Sequence, residues 1–268
     1  MHRISNTTTN EPVTVSVDDA LVGIERRGPI VHLTLNRAAK YNVLSAAMIA
    51  GLKGILEQMA CDREVRVIVL AAHGRAFCAG HDLTEMGPDV TLDAMRDLFS
   101  ACSDLMMTIQ GLPQPVIARV QGIATAAGCQ LVASCDLAVA SSDARFAVSG
   151  INLGLFCSTP AVAISRNMLQ KPALEMLLTG EFIDAQTARE RGLLNRVVPP
   201  EALDAEVEKL ATTIASKSPD AVAAGKRLFY QQRELTIDAA YRRASDVMAQ
   251  NAILGDAQTG IARFAKRN

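Results

Sequence analysis

Three stretches of the chain follow one plan, in which a short apolar strand is followed by a loop and then, for the first two, by a helix. Residues 65–72, 115–120 and 137–140 are apolar runs without alternation, which is typical of strands covered on both faces. Apolar spacings of three and four residues predict helices from the cap at Ser45 to Met59 and over about 91–110. The repeated plan indicates an α/β fold.

The two ends of the chain differ from this plan. Residues 1–19 are mostly polar and are predicted to form a flexible tail, after which two strands meet at Gly28-Pro29, a turn dipeptide. Helical patterns dominate from Thr159, and residues 201–268 contain three predicted helices and no strand signal. We therefore expect a core over residues 20–200 and a C-terminal helical oligomerisation region over residues 201–268.

Charge, hydropathy and cysteine placement exclude several classes of protein. The formal net charge of −1 predicts neither a nucleic-acid partner nor an anionic membrane surface, which need a basic field. No apolar run approaches the roughly 18–20 residues that span a bilayer, and the first residues lack the apolar segment of a secretory signal. The six cysteines form no C-x-x-C pair, which predicts reduced thiols in the cytoplasm and no metal site.

Two loops built of small residues are candidates for chemistry. They have the sequences AFCAGHDL at residues 76–83 and GIATAAGCQ at residues 122–130. Small side chains let a ligand carbonyl approach the main chain, and the second loop opens a helix whose first N–H groups have no intrahelical partner. Such donors can form an oxyanion hole. Tight packing of strands against helices explains the same composition, and the pattern alone leaves both interpretations open.

The amino-acid sequences of three segments resemble those of the crotonase superfamily, which contains the enoyl-CoA hydratases and isomerases. The segments are AFCAGHDL, PVIARVQGIATAAGCQLVASCDLAVAS and LTGEFIDAQTARERGLLNRVV, and the resemblance extends over roughly residues 20–268. ATAAGCQLVASCDLAVA and GINLGLFCSTP are similar in particular to the enoyl-CoA hydratase domain-containing protein 3 branch.

The resemblance implies a crotonase-like spiral of ββα units with a C-terminal helical trimerisation region, assembled as a homotrimer or hexamer. It also implies an acyl-CoA ligand, a coenzyme A thioester, and no other cofactor. By motif match, the oxyanion donors are the backbone N–H groups of His81 and Ala127. The implied substrate-binding residues are Lys40, near a CoA phosphate, together with Ala79, Asp82, Leu83, Ile123 and Gly128.

The sequence departs from the family at the two positions where the hydratases carry glutamates. These positions are occupied by Gln130 and Gly150. Hydration of an enoyl thioester needs a base for water and an acid for the α-carbon, and each contributes about 10²- to 10⁴-fold. A glutamine amide cannot accept the proton and glycine has no side chain. Ordinary hydratase activity is therefore not expected.

No other side chain is an evident replacement for the missing acid and base. We expect the His81 side chain to pack or face solvent, Asp82 to cap or orient its loop, and Cys157 to be an inert thiol. No G-x-S-x-G motif or Ser/His/Asp set is present, which disfavours a hydrolytic triad. Three hypotheses follow: an isomerase, decarboxylase or lyase that stabilises a thioester enolate, a catalytically silent acyl-CoA binder or sensor, and a structural subunit.

Overall fold

The computed structural model describes residues 20–266, so the predicted tail over residues 1–19 lies outside the described residues. Ten strands are present in this part of the chain. They are β1 (Val22–Arg27), β2 (Ile30–Leu35), β3 (Val67–Ala72), β4 (Ala76–Cys78), β5 (Val116–Val120), β6 (Ile123–Thr125), β7 (Leu137–Ser141), β8 (Arg145–Ala147), β9 (Ile183–Asp184) and β10 (Arg196–Val198).

The strands form two sheets. The larger sheet has six strands in the order β1-β2-β3-β5-β7-β10, and the smaller has four in the order β4-β6-β8-β9. Pairing is parallel except between β1 and β2 and between β8 and β9. Three consecutive strands of the larger sheet, β3, β5 and β7, are each followed by a short strand of the smaller one.

Ten α-helices complete the described chain. They are α1 (Ala46–Cys61), α2 (Leu92–Gly111), α3 (Ala127–Ser134), α4 (Ser158–Asn167), α5 (Gln170–Thr179), α6 (Ala185–Glu190), α7 (Leu203–Ala215), α8 (Pro219–Gln232), α9 (Ile237–Ala252) and α10 (Gly255–Ala265). Because α2, α3 and α4 each follow one strand of the larger sheet and one strand of the smaller sheet, the chain winds as a spiral of ββα units. This confirms the predicted fold class.

The larger sheet is covered on both faces, as its apolar strands predict. All six residues of β3 are buried. Ile68 and Leu70 belong to the main core, which includes the inner faces of α1 and α2. Val67 and Val69 belong to a second cluster with Leu203, Val207 and Ala211 of α7. Helix α7 therefore packs on the side of the sheet opposite to α1 and α2.

The structure differs from the sequence-based expectation at short elements. The two small-residue loops each contain a three-residue strand, β4 and β6, which the sequence did not reveal. The region after residue 200 holds four α-helices among the described residues, α7 to α10, and not three. The division of the chain near residue 200 stays a prediction.

Candidate functional site

A cavity of about 650 Å³ lies where the two small-residue loops meet. Its wall is formed by the turn before α1, the loop after β4, the start of α3 and the segment between β8 and α4. Seven of the predicted site residues line this cavity: Lys40, Ala79, His81, Asp82, Leu83, Ala127 and Gly150. Gln130, Ile123 and Gly128 are not part of the wall.

The backbone of His81 is held by an isolated parallel bridge to Leu44. The Leu44 N–H donates to Gly80 O at 2.7 Å, and the Asp82 N–H donates to Leu44 O at 3.3 Å. In a parallel bridge the central residue directs its own N–H away from the partner strand. The His81 N–H thus points away from Leu44, and no acceptor within residues 20–266 takes it.

The Ala127 N–H also has no acceptor in the described part of the chain, for a different reason. Ala127 is the first residue of α3, and the first N–H groups of a helix have no intrahelical acceptor. The preceding Ala126 has φ 51° and ψ −122°, a positive φ that costs a non-glycine residue about 1–3 kcal/mol. This strained residue turns the chain from β6 into the helix, with its own N–H donating to Ala147 O at 3.1 Å.

Glycines bring the two loops into direct contact. Gly80 has φ +96°, and a Cβ there would lie 3.0 Å from the Ala126 Cβ and 3.4 Å from the Ala127 nitrogen. A Cβ on Gly128 would overlap the carbonyl of Cys78. Tight packing of strand against helix, one of the two interpretations of these loops, is therefore real. Because Gly80 adjoins the Ala127 amide, this packing also brings the next residue, His81, close to that amide.

The His81 side chain packs in the cavity wall. Its ring meets Phe99 edge to face, with centroids 5.4 Å apart and an interplanar angle of 84°. Its Nε2 atom is buried and has no hydrogen-bond partner within the described chain. Burial lowers the pKa of His81 from 6.5 to about 4, so the imidazole is neutral near pH 7.

Asp82 organises the loop after β4. Its carboxylate accepts from Thr84 Oγ1 at 2.7 Å and from the Thr84 N–H at 3.2 Å, and it pairs with Arg37 at 3.0 Å. The hydrogen bonds from Thr84, followed by the charge of Arg37, lower the pKa of Asp82. Through these contacts the Asp82 carboxylate caps the turn Leu83–Glu85.

The remaining predicted ligand contacts differ in exposure and in their position relative to the cavity. Lys40 and Leu83 are exposed, and Leu83 is an apolar side chain that is 57% accessible. The Ala79 N–H donates to Tyr41 O at 3.0 Å, so that amide is already occupied. Ile123 is 38% accessible on β6, outside the cavity wall.

Residues 130 and 150, where the resemblance implies the glutamates of the hydratases, have very different surroundings in this structure. Gln130 is buried, and its Oε1 has no partner among residues 20–266. Gly150 lies in the cavity wall, but a Cβ there would be 2.5 Å from Cys157 Sγ and 2.7 Å from Leu155 O. The structure therefore leaves no room for a side chain at residue 150. Burial also raises the pKa of the Cys157 thiol.

The structure adds cavity residues that the sequence did not indicate. Phe99 reaches the wall from α2, and Leu155 and Phe156 from the segment before α4. Tyr41, at φ 53°, carries the Arg75 guanidinium 4.7 Å from its ring centroid, and Arg75 also donates to its hydroxyl.

Within residues 20–266, no group of three or more His, Cys, Asp or Glu side chains is placed to hold a metal ion. No helix in the same part of the chain combines the length and hydropathy needed to cross a membrane.

Comparison with known proteins defines the class. The family model described as Enoyl-CoA hydratase/isomerase matches residues 25–268, and the chain belongs to this family, whose members have the crotonase fold and act in acyl-CoA metabolism. It is similar to the mitochondrial enoyl-CoA hydratase domain-containing protein 3 of Rattus norvegicus, with 44% identity over 92% of this chain and 82% of the rat protein.

Solved structures agree with this placement. The crystal structure of an enoyl-CoA hydratase from Mycobacterium smegmatis matches with a TM-score of 0.92 and 53% identity, covering 93% of this chain and 98% of that one. Human enoyl-CoA hydratase domain-containing protein 3 matches with a TM-score of 0.90 and 43% identity over the same fractions. The resemblance to this branch is thereby confirmed.

The prediction of a cytoplasmic location is wrong on these comparisons. The enoyl-CoA hydratase domain-containing protein 3 relatives from rat, mouse, Xenopus laevis, Danio rerio and human are all named mitochondrial. The prediction failed because it rested on reduced thiols and the lack of a secretory signal. Neither property separates the cytoplasm from other reducing compartments.

Proposed function

We propose that the chain binds acyl-CoA thioesters in the cavity and polarises the thioester carbonyl with the backbone N–H groups of His81 and Ala127. The observation that carries this proposal is that both residues line one cavity while neither N–H is taken by an acceptor in residues 20–266. Donors fixed in place around a developing oxyanion stabilise it without reorganising, and one donor typically contributes about 2.7–4 kcal/mol to the transition state.

The proposed ligand path runs from the exposed mouth to the buried wall. Lys40 is placed for a CoA phosphate, and Ala79, Asp82 and Leu83 lie along the adenine and pantetheine portion. The acyl group extends toward Gly150 and the apolar segment that includes Phe156. The cavity wall combines the charged side chains of Lys40 and Asp82 with apolar side chains such as Leu155 and Phe156.

The proposed reaction is one in which an enolate forms without two protein carboxylates. Isomerisation, decarboxylation or lysis fits this description when the substrate or solvent carries the proton. Gln130 supplies no base, and the space beside Gly150 is filled by Cys157 and Leu155 O. That filled space equally supports the second candidate function, a catalytically silent acyl-CoA binder or sensor.

Calorimetric titration with acetyl-CoA and with its thioether analogue S-ethyl-CoA tests the oxyanion proposal directly. The two ligands differ in the thioester oxygen, so two hydrogen bonds of about 0.5–1.5 kcal/mol each predict roughly a 5- to 150-fold preference for acetyl-CoA. Ala127→Pro removes one N–H at the first residue of a helix, where proline is common, and is expected to reduce this preference. Because the preceding Ala126 is not in the extended conformation that favours a following proline, the fold of this variant is checked separately. Equal binding of both ligands by the unaltered protein would refute the oxyanion role.

A matched control for that variant exists in α5. Gln170→Pro places proline at the exposed first residue of a helix outside the cavity wall, so the acetyl-CoA preference should stay at its original value. Circular dichroism and melting temperature establish that both proline variants are folded. Absence of any binding to CoA or its esters at millimolar concentration would leave the structural-subunit hypothesis standing.

Loss of the enone absorbance of crotonyl-CoA tests the reaction. We expect no hydration at ordinary hydratase rates, because neither residue 130 nor residue 150 carries a carboxylate. Turnover at such rates would show that another group supplies the acid and base. Product analysis with β,γ-unsaturated and malonyl-type CoA thioesters separates isomerisation and decarboxylation from silent binding.

We also propose self-association through the C-terminal helices, as a trimer or hexamer. Helices α8 to α10 expose large apolar side chains, which a folded chain tends to cover. They include Phe229, Ile237, Tyr241, Met248, Ile261 and Phe264. Sedimentation velocity should show a trimer or a larger multiple, and Tyr241→Lys with Met248→Lys should shift the population toward monomer.

A further inference from the structure

Asn42 is a buried polar residue in the segment between β2 and α1. Its exposed fraction is 0%, and both Asn42 and the preceding Tyr41 have a positive φ, of 54° and 53°. Asparagine visits this left-handed region more readily than other non-glycine residues, but two such residues in succession are strained. Strain of this kind persists only where surrounding contacts hold the chain in place.

The contacts that hold Asn42 come from its own side chain. Its Nδ2 group donates to His73 O at 2.8 Å and to Ala76 O at 2.9 Å. Its Oδ1 atom accepts from the Arg37 N–H at 2.8 Å. The side-chain amide therefore ties the segment before α1 to the turn between β3 and β4 and to the start of β4.

The segment around Asn42 also holds the loop that follows β4. The Tyr41 carbonyl accepts from the Ala79 N–H at 3.0 Å, and the Leu44 N–H donates to Gly80 O at 2.7 Å. These two bonds lie on either side of Asn42 in the chain. The residue after Gly80 carries one of the two proposed oxyanion donors, so the direction of that donor follows the position of the segment.

The contacts of this segment continue beyond His81. The Leu44 carbonyl accepts from the Asp82 N–H at 3.3 Å, and the Arg37 side chain pairs with the Asp82 carboxylate at 3.0 Å. The backbone of Arg37 is the same group that Asn42 Oδ1 binds. Contacts from one segment thus lie on both sides of His81, and they limit the rotation of its peptide plane.

We propose that Asn42 is a positioning residue of the site, whose side chain fixes the direction of the His81 N–H through the segment that it anchors. Asn42 is not part of the cavity wall, so it acts through this segment and not on the ligand. The inference rests on the proposed oxyanion role of His81 and adds the residue that keeps this donor aligned. Alignment matters because an oxyanion donor is effective when it needs no reorganisation.

Asn42→Gly in the full-length protein tests this inference. Glycine adopts a positive φ without strain, so the variant removes the three side-chain hydrogen bonds and keeps the backbone conformation accessible. Misalignment of one donor predicts that the preference for acetyl-CoA over S-ethyl-CoA falls about 2- to 10-fold in calorimetric titrations. A general loss of CoA affinity cancels in this ratio, so a purely structural role leaves it unchanged.

Asn42→Asp shows which of the hydrogen bonds matter. A carboxylate still accepts from the Arg37 N–H but cannot donate to His73 O and Ala76 O. If the anchor to the turn between β3 and β4 aligns the donor, the preference should fall as far as in Asn42→Gly. A folded Asn42→Asp variant that keeps the parent preference overturns the inference.

Gln114→Ala is the matched control for loss of a buried amide. Gln114 is 5% exposed, lies outside the cavity wall, and donates from Nε2 to Met59 O at 2.8 Å and to Asp62 O at 3.2 Å. The variant should be less stable in urea but keep the parent preference for acetyl-CoA. An equal fall in Gln114→Ala and in Asn42→Gly would mean that the ratio follows stability, which overturns the inference.

A second variant reaches the same contact without removing a buried polar group. A Cβ on Gly74 would lie 2.8 Å from the Ala38 Cβ, so Gly74→Ala presses the anchored segment away from the turn and should also lower the preference. Gly28→Ala is its control, because Gly28 also has a positive φ, of 59°, but a Cβ there meets no atom within 4 Å. It should keep the parent preference.

The outcomes separate this inference from the proposed function. An unchanged preference in folded Asn42→Gly overturns the positioning role, and where neither Asn42 variant folds, an unchanged preference in Gly74→Ala does so. The oxyanion proposal survives either result, because the unaltered protein still prefers acetyl-CoA. Equal binding of acetyl-CoA and S-ethyl-CoA by the unaltered protein instead refutes the oxyanion role, and the positioning role with it.

Discussion

Helix α3, whose first residue lines the candidate site, and the C-terminal helices α9 and α10 differ strongly in how much of their surface is buried. All eight residues of α3 are buried, whereas α9 buries only Ala240 over its sixteen residues and α10 buries none. Small side chains let α3 sit inside the fold, with backbone groups in contact with β4. The C-terminal helices keep apolar side chains on their surface, which the proposed self-association would cover.

One buried ion pair joins these two regions. Lys226 of α8 donates to Asp136 Oδ2 at 2.6 Å and to the carbonyls of Ile109 and Gln114 at 2.9 Å. Asp136, two residues after α3, also accepts from the Tyr230 hydroxyl at 2.9 Å. Burial raises the pKa of Asp136 and lowers that of Lys226, while their mutual attraction opposes both shifts.

Breaking this pair is expected to give the largest effect. Lys226→Ala leaves a carboxylate buried without its cation, which costs about 3–5 kcal/mol of unfolding free energy. Urea unfolding measures the loss, and Arg227→Ala, one residue further on and exposed, should change stability little. A loss below about 1 kcal/mol for Lys226→Ala would mean that α8 is held by other contacts.

Acidification is expected to destabilise the site through His81. The unfolded chain binds a proton below pH 6.5, but the folded chain resists until its pKa of about 4. Stability is therefore full above pH 6.5 and falls as the pH drops toward 4, by at most about 3 kcal/mol at 1.36 kcal/mol per pKa unit. His81→Phe should lose less stability than the parent between pH 7 and pH 4.5.

The control for this pH effect is His73→Phe, at an exposed position. It should retain the pH dependence of the parent protein in the same urea titrations. If the parent and His81→Phe lose equal stability on acidification, the folded imidazole titrates normally and is not protected by burial.

A methyl group at residue 128 tests how closely the site helix is packed. The Cβ of Gly128→Ala would overlap the Cys78 carbonyl, and overpacking of this kind typically costs about 1–3 kcal/mol. Because the strain falls between the two loops, the preference for acetyl-CoA over S-ethyl-CoA should also decline. A stable variant with unchanged binding would show that the loops are not in firm contact.

The same substitution in the C-terminal region should have the smallest effect and the opposite sign. A Cβ at Gly225, inside α8, would meet no atom within 4 Å. Gly225→Ala is therefore expected to stabilise the helix by about 0.5–1 kcal/mol. Thermal unfolding measures this gain. Destabilisation instead would indicate that another copy of the chain packs closely against this position.

Local sequence patterns were sufficient to predict the longer strands and the starts of the first two helices. The apolar runs before α2 and α3 predicted β3 and β5 because strands buried on both faces exclude polar residues. Ser45 and Thr91 were found as helix starts, and both side chains accept from the first turn of their helices. These features depend on neighbouring residues, so the sequence displays them directly.

The short strands β4 and β6 were missed because their stability comes from distant partners. Ala76 pairs with Ile123, and Ala124 pairs with Phe146, so three residues become a strand only when the spiral closes. The candidate site likewise contains residues that local sequence patterns could not identify. Motifs indicated His81, Ala127 and Gly150, but no motif pointed to Phe99, which reaches the cavity from α2.

The sequence by itself determined the alternation of strands and helices, the family resemblance, and the absence of carboxylates at residues 130 and 150. Only the tertiary structure decided that a side chain at residue 150 has no space and that His81 Nε2 has no hydrogen-bond partner among residues 20–266. It alone also joined Lys226 to Asp136. The sequence shows which chemical groups are present. Free space, burial and pairing are decided only when segments far apart in the chain pack against each other.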